Sequence, residues 1–146
     1  MLSVVRPSLE YGSEVWHCNK SQAVALEAVL LGGAKRILGC SSKTCNEAVR
    51  GDMGIQTLEG RRDEAKLKLW YKLASMSEDR YPRKAFDNVW DIKPRRGRQR
   101  KVWSKVVDDL FLSQGLEKDR WLQRIAEGDS SLKEFMSVVM ESVGER

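Results

Sequence analysis

The residues of this chain with the clearest chemical potential are cations, gathered in two dense sets. Nine consecutive residues, Lys93 to Lys101, carry six positive charges (Lys93, Arg95, Arg96, Arg98, Arg100 and Lys101) and no negative one. Upstream, Arg61, Arg62, Lys66, Lys68 and Lys72 lie in one stretch of helical pattern, and Arg80, Arg83 and Lys84 follow it. Ammonium and guanidinium groups at this density suit a polyanion. They neutralise phosphates and release counterions, and arginine grips phosphate oxygens in pairs. The partner this chemistry fits is an RNA or DNA backbone, and nothing in the pattern points to base-specific readout. Competing readings are a solvated helix face with a loop, or a nuclear-import signal.

Charge is unevenly shared along the chain. Residues 1–60 hold six Lys/Arg and six Asp/Glu, residues 61–105 hold fifteen and six, and residues 106–146 hold five and nine. The middle segment is therefore +9 and the tail −4, within a net charge of +5 and a pI near 9.2.

Other chemistries find little support. Asp108 and Asp109 are adjacent in a helical pattern, so their carboxylates point about 100° apart and do not converge on a metal. Lys105, four residues before Asp109, is placed for an ion pair instead. His17, Cys18, Cys40 and Cys45 match none of the paired-cysteine zinc spacings, and buried free cysteines are the better expectation. His17 is the only histidine, and nothing near it builds a nucleophile–base pair. Gly32-Gly33 lacks the strand before and the Lys-Ser/Thr after that a phosphate loop needs. The expectation is no catalytic residue, no metal, no cofactor and no small-molecule substrate: not an enzyme on its own.

The elements that must position the cations are helices. Pro94 and Gly97 keep the first half of the basic strap out of a regular helix. After it, Val102, Trp103, Val106, Val107, Leu110 and Phe111 recur at helical spacing, closed by Gly115. Earlier, Val4 to Trp16 predicts a helix, with Pro7 at its start or kinking it and Gly12 marking a close approach. Asn19 with Gln22 predicts a capped helix with Ala23, Leu26, Leu30, Ile37 and Leu38 along one stripe, ending at Gly39. Thr44 with Glu47 predicts a capping box for a short helix, and Leu58 to Met76 a long one with Ala65, Leu67, Leu69, Trp70 and Leu73 inward. Arg61, Arg62, Lys66, Lys68 and Lys72 are assigned to its opposite side. Tyr81-Pro82 opens a shorter helix with Phe86, Val89 and Trp90 inward. Asp119 to Glu127 forms another, and Ser131 with Glu134 opens the last, whose Leu132, Phe135, Met136, Val139, Met140 and Val143 repeat at three and four. No segment alternates with period two. The predicted class is all-α, an irregular bundle of about six to eight helices. The segments are 1–92, a basic strap at 93–101, and 102–146, within one continuous domain.

No apolar run approaches the ~20 residues that span a bilayer, so no membrane partner is expected. An N-terminus without a basic-plus-apolar leader and an odd cysteine count favour an intracellular protein, nuclear or cytoplasmic.

Three strings in order, LEYGSEVW (9–16), NEAVRGDMGIQTLEGRR (46–62) and RRGRQRKVWSKVVDDLFLSQGL (95–116), resemble the region after the polymerase core in non-LTR (LINE-like) retrotransposon reverse transcriptases. There a Tyr-Gly-x-x-x-Trp helix precedes an Arg-Ile-Leu-Gly-like helix end, matched by Arg36-Ile37-Leu38-Gly39. A Gly-x-x-x-Leu-x-x-Arg-Arg helix start follows, matched by Gly54, Leu58, Arg61 and Arg62. An Arg-Gly-Arg-x-Arg strap then leads into a Trp-x-x-x-Val-x-x-Asp-Leu helix, matched by Arg96 through Leu110. Asp119-Arg120-Trp121 is a compressed form of the family's Asp-Arg-x-x-Trp-like end. The resemblance covers roughly residues 1–125. It implies that residues 1–92 are a thumb-like helical region helping to hold template RNA and a primer–template duplex. The family's Tyr/Phe-x-Asp-Asp hairpin and its zinc knuckle are missing from this sequence. By resemblance the chain is a truncated or domesticated remnant of an RNA-directed DNA polymerase, with Met1 once internal to a longer frame. The alternative is a helical protein-interaction module using the Met-rich C-terminal helix, Ser131 to Val143.

Overall fold

The computed structural model describes residues 2–87 and 102–144. Among them are eight helices and no strand, as the all-α expectation requires. The strap and the inward positions expected at Val89 and Trp90 lie outside the described residues, as do the segment limits at 92/93. Contacts group the chain into two compact units, residues 1–63 and 64–146.

The first unit holds α1 (Leu2–Glu10), α2 (Lys20–Leu38), α3 (Asn46–Met53) and the opening turns of α4 (Leu58–Ala74). α1 stops short of the predicted Trp16, and Pro7 sits inside it. Gly12 adopts φ +64°, where only glycine is unstrained, and turns the chain. Trp16 then folds back: its Nε1–H donates to the Tyr11 carbonyl at 3.0 Å, and its ring would lie 3.8 Å from a Cβ on Gly12. With the helix ended there, Val4, Tyr11 and Val15, expected on an apolar side, are exposed.

α2 starts as predicted. The Asn19 side chain accepts from the Gln22 N–H at 2.9 Å, the Gln22 side chain accepts from the Asn19 N–H at 2.9 Å, and Gly39 closes the helix at φ +66°. Leu30, Leu31 and Ala34 are buried with Val49, Ile55 and Leu58; Leu26 packs at the edge. Ile37 and Leu38, expected in the stripe, are exposed. α3 has eight residues and spans about 12 Å, so it cannot cover a 19-residue helix of about 28 Å. The Thr44–Glu47 box does not form. α3 begins at Asn46, which makes Cys45 the N-cap residue, without a side-chain cap. Thr44 instead donates its N–H to Ser41 in a turn. An unforeseen cap opens α4, where Thr57 Oγ1 accepts from the Gly60 N–H at 3.1 Å.

The second unit holds the rest of α4 with α5 (Tyr81–Asp87), α6 (Trp103–Ser113), α7 (Lys118–Ala126) and α8 (Leu132–Gly144). Its core centres on Phe135, which is fully buried. The Phe135 ring lies 5.9 Å from Trp70, 5.2 Å from Tyr71, 6.2 Å from Phe111 and 4.9 Å from Trp121. One side chain of α8 thereby gathers α4, α6 and α7. Val107, Val139 and Leu67 complete the buried cluster, while Val102, expected inward, is exposed at the N-cap of α6. The Ser131 hydroxyl accepts from the Glu134 N–H at 3.2 Å, but only half of that capping box is present. The Glu134 carboxylate accepts instead from Arg124 at 2.7 Å, which raises the arginine's pKa further.

Removing the ring of Phe135 leaves a cavity among four aromatic partners. Phe135→Ala is expected to destabilise the chain by about 3–5 kcal/mol, read by urea unfolding. Conversely, a Cβ added at Gly32 or Gly33 meets nothing within 4 Å. Gly32→Ala and Gly33→Ala are each expected to stabilise by roughly 0.5–1 kcal/mol, because both sit inside α2.

Candidate nucleic-acid interface

A helix turns 100° per residue, so positions four apart form a slanting row on one side of it. On α4 the row Leu58, Arg62, Lys66, Trp70, Ala74 is the buried one, at 1%, 4%, 4%, 1% and 7% exposure. Arg62 and Lys66 therefore face inward with the apolar anchors, and their assignment to an exposed basic side is corrected. The row was present in the sequence: both cations stand at multiples of four from Leu58 and Trp70.

Arg62 sets its guanidinium 5.7 Å from the centre of the Trp16 ring. This cation–π contact suits a charge withdrawn from water. Arg61, half-buried, makes a two-pronged contact with Glu10: its Nε donates to Oε1 and its Nη2 to Oε2 at 3.1 Å. A guanidinium held this way has its charge matched and one edge of its fork occupied, so Arg61 must give up this contact before it can grip a phosphate. Lys68 and Lys72 are exposed and four residues apart, on a common side of the helix. Lys93, Arg95, Arg96, Arg98, Arg100 and Lys101 lie outside the described residues. Arg80, Lys84 and Lys105 are exposed as well. The density of basic residues between 61 and 105 flagged them, but only burial separates them from their inward neighbours.

Arg83 has another task. Its Nη1 donates to the Leu73 carbonyl at 3.3 Å and to the Ala74 carbonyl, and its Nε to Asp87 at 2.7 Å. A cation at the C-terminus of α4 satisfies carbonyls that the helix leaves open and matches its dipole. It also fastens the start of α5 to the end of α4.

The first unit is organised by a carboxylate that sequence reasoning passed over. Glu27, on α2, accepts from Arg50 Nη2 at 2.9 Å and Nε at 3.2 Å, and from the Leu58 N–H at 2.9 Å. It joins α2 to α3 and meets the positive end of α4. A groove of about 450 Å³ runs beside it, lined by Leu31, Gly32, Lys35, Arg36 and Asn46 among others. Lys35 donates there to the Ser42 carbonyl at 2.9 Å.

The remaining candidates stay apart. Asp108 pairs with Lys118 at 2.5 Å, and Asp109 and Lys105, the pair expected from the sequence, are both exposed. Among the described residues, no three His, Cys, Asp or Glu side chains gather as metal ligands would. The cysteines are free, but not buried: Cys18 and Cys40 are intermediate and Cys45 is exposed. The Cys45 thiol donates to Glu47 at 2.8 Å, and with a backbone hydrogen bond this holds the Glu47 carboxyl below its usual range. No helix among the described residues is long and apolar enough to cross a membrane.

The inward and outward cations of α4 separate by stability. Arg62→Ala is expected to destabilise by about 1–3 kcal/mol through the lost ring contact and packing. Lys68→Ala and Lys72→Ala are expected to stay within about 0.5 kcal/mol of the parent, read by thermal unfolding at fixed ionic strength. No known protein family matches the chain, and no curated protein or solved structure is significantly similar to it.

Proposed function

We propose that the chain is a non-catalytic, all-α module that binds the sugar–phosphate backbone of RNA or DNA without reading base sequence. The observation that carries this reading is the concentration of charge in residues 61–105, fifteen cations against six carboxylates. Burial trims that set without abolishing it. Lys68, Lys72, Arg80, Lys84 and Lys105 remain exposed, and the six cations of the strap add a sequence-based claim. The resemblance to the post-polymerase region of LINE-like reverse transcriptases supports a primer–template duplex as the ligand. In that reading the chain is a fragment without polymerase activity of its own.

The alternative, a partner-binding C-terminal helix, has less support. Phe135 and Val139 of α8 are fully buried in the core, Leu132 and Met136 pack against it, and Met140 is exposed.

Each cation that neutralises a phosphate adds about 0.9 to the slope of log affinity against log salt. Binding to a primer–template duplex is therefore expected to weaken steeply with salt. Lys68→Ala with Lys72→Ala is expected to flatten the slope by about 1.8. Replacing Arg95, Arg96, Arg98 and Arg100 with Ala is expected to flatten it more, with little change in melting temperature. Fluorescence anisotropy across a salt series measures both. Binding that is absent at low salt, or insensitive to salt, refutes the reading.

A further inference from the structure

Tyr81 is 88% exposed, with a cation on either side of it in the chain. Arg80 precedes it, and Lys84 lies three residues on, about one helical turn away on the same side. Both are exposed. The backbone around the ring is fixed on either side: the Arg80 N–H donates to the Ser77 carbonyl at 3.1 Å, and the Lys84 N–H to the Arg80 carbonyl at 3.0 Å. Pro82 stiffens the same turn by locking its own φ. Arg83 ties this turn to the end of α4, the helix that carries Lys68 and Lys72.

We infer that Tyr81 is a stacking platform for an unpaired base, with Arg80 and Lys84 holding the adjoining phosphates, so that the module prefers single-stranded nucleic acid or a duplex with an overhang. The inference rests on the backbone-binding reading and gives it a ligand class. A π-face accepts any base, so the platform adds affinity without sequence preference. A rigid turn suits the role, because little freedom is lost when a base settles on the ring. Glu78 and Asp79, exposed in the preceding turn, repel phosphate on that side and direct the strand toward Lys84. Tyr11 is the contrasting case, an exposed ring without flanking cations. It is also 88% exposed, but its neighbours are Glu10 and Glu14, and Glu10 is paired with Arg61.

The test compares labelled oligouridylate and oligothymidylate of about twelve nucleotides with a blunt duplex of the same length, by anisotropy at several salt concentrations. Tyr81→Ala is expected to weaken single-strand binding by about 5-fold to 100-fold. The salt slope and the blunt-duplex affinity should not change, and Tyr81→Phe should retain the parent affinity because the ring face is kept. Tyr11→Ala is the control and should bind as the parent does. Equal loss on single strand and duplex, or no loss on either, overturns the platform while leaving backbone binding intact. Failure of the parent chain to bind any of the three probes at low salt overturns the backbone reading and the platform with it. Unfolding curves confirm that the variants are folded.

Discussion

The helical period of α4 is the constraint on which the rest of the chain depends. The helix begins in one compact unit and ends in the other. It supplies Leu58 to the first core and Leu67, Trp70 and Tyr71 to the second. Its buried row takes up Arg62 and Lys66 because they lie four and eight residues from Leu58. Nothing in the charge of a side chain alters the angle at which the backbone presents it. A helix that supplies anchors to a core must place its cations by number, and two of the five basic residues between 61 and 72 are thus drawn inward.

The buried Arg62 and the half-buried Arg61 are each given a partner. Withdrawing a guanidinium from water is unfavourable unless a carboxylate or a ring face replaces the lost hydration. Glu10 supplies the first to Arg61, and Trp16 the second to Arg62. Both partners come from the segment around the Gly12 turn. The turn therefore does more than end α1: it delivers the indole ring that covers a buried cation. Glu27 plays the corresponding part for Arg50 and for the open N–H at the start of α4. In this way carboxylate-centred contacts supplement the aliphatic core of the first unit, whereas the second is held by a knot of aromatic rings around Phe135.

Local signals were legible to differing depths. Asn19 with Gln22 reads correctly from sequence because both halves of the cap lie within one turn of chain. Thr44 with Glu47 fits the same pattern and yet fails, because α3 starts at Asn46 and leaves Thr44 one residue outside the cap position. Glu134 reaches its expected place, but its carboxylate finds Arg124 in α7, ten residues back, a competitor that no local pattern contains. Ile37 and Leu38 carry the right period for burial and remain exposed, while Leu30, Leu31 and Ala34 of the same helix are buried.

The sequence by itself determined the all-α class, the helix stops at Gly39 and Gly115, the helical stripe of the last helix, and the concentration of charge in the middle third. These depend on periodicity, on the left-handed turns that glycine allows, and on composition, all of which are local or additive. Only the tertiary structure decided which cations face water. Burial of Arg62 and Lys66, pairing of Arg61 with Glu10, and exposure of Lys68, Lys72 and Tyr81 depend on what packs against α4 and α5. A charge available for phosphate is a side chain without a closer partner, and that is a property of the folded surface.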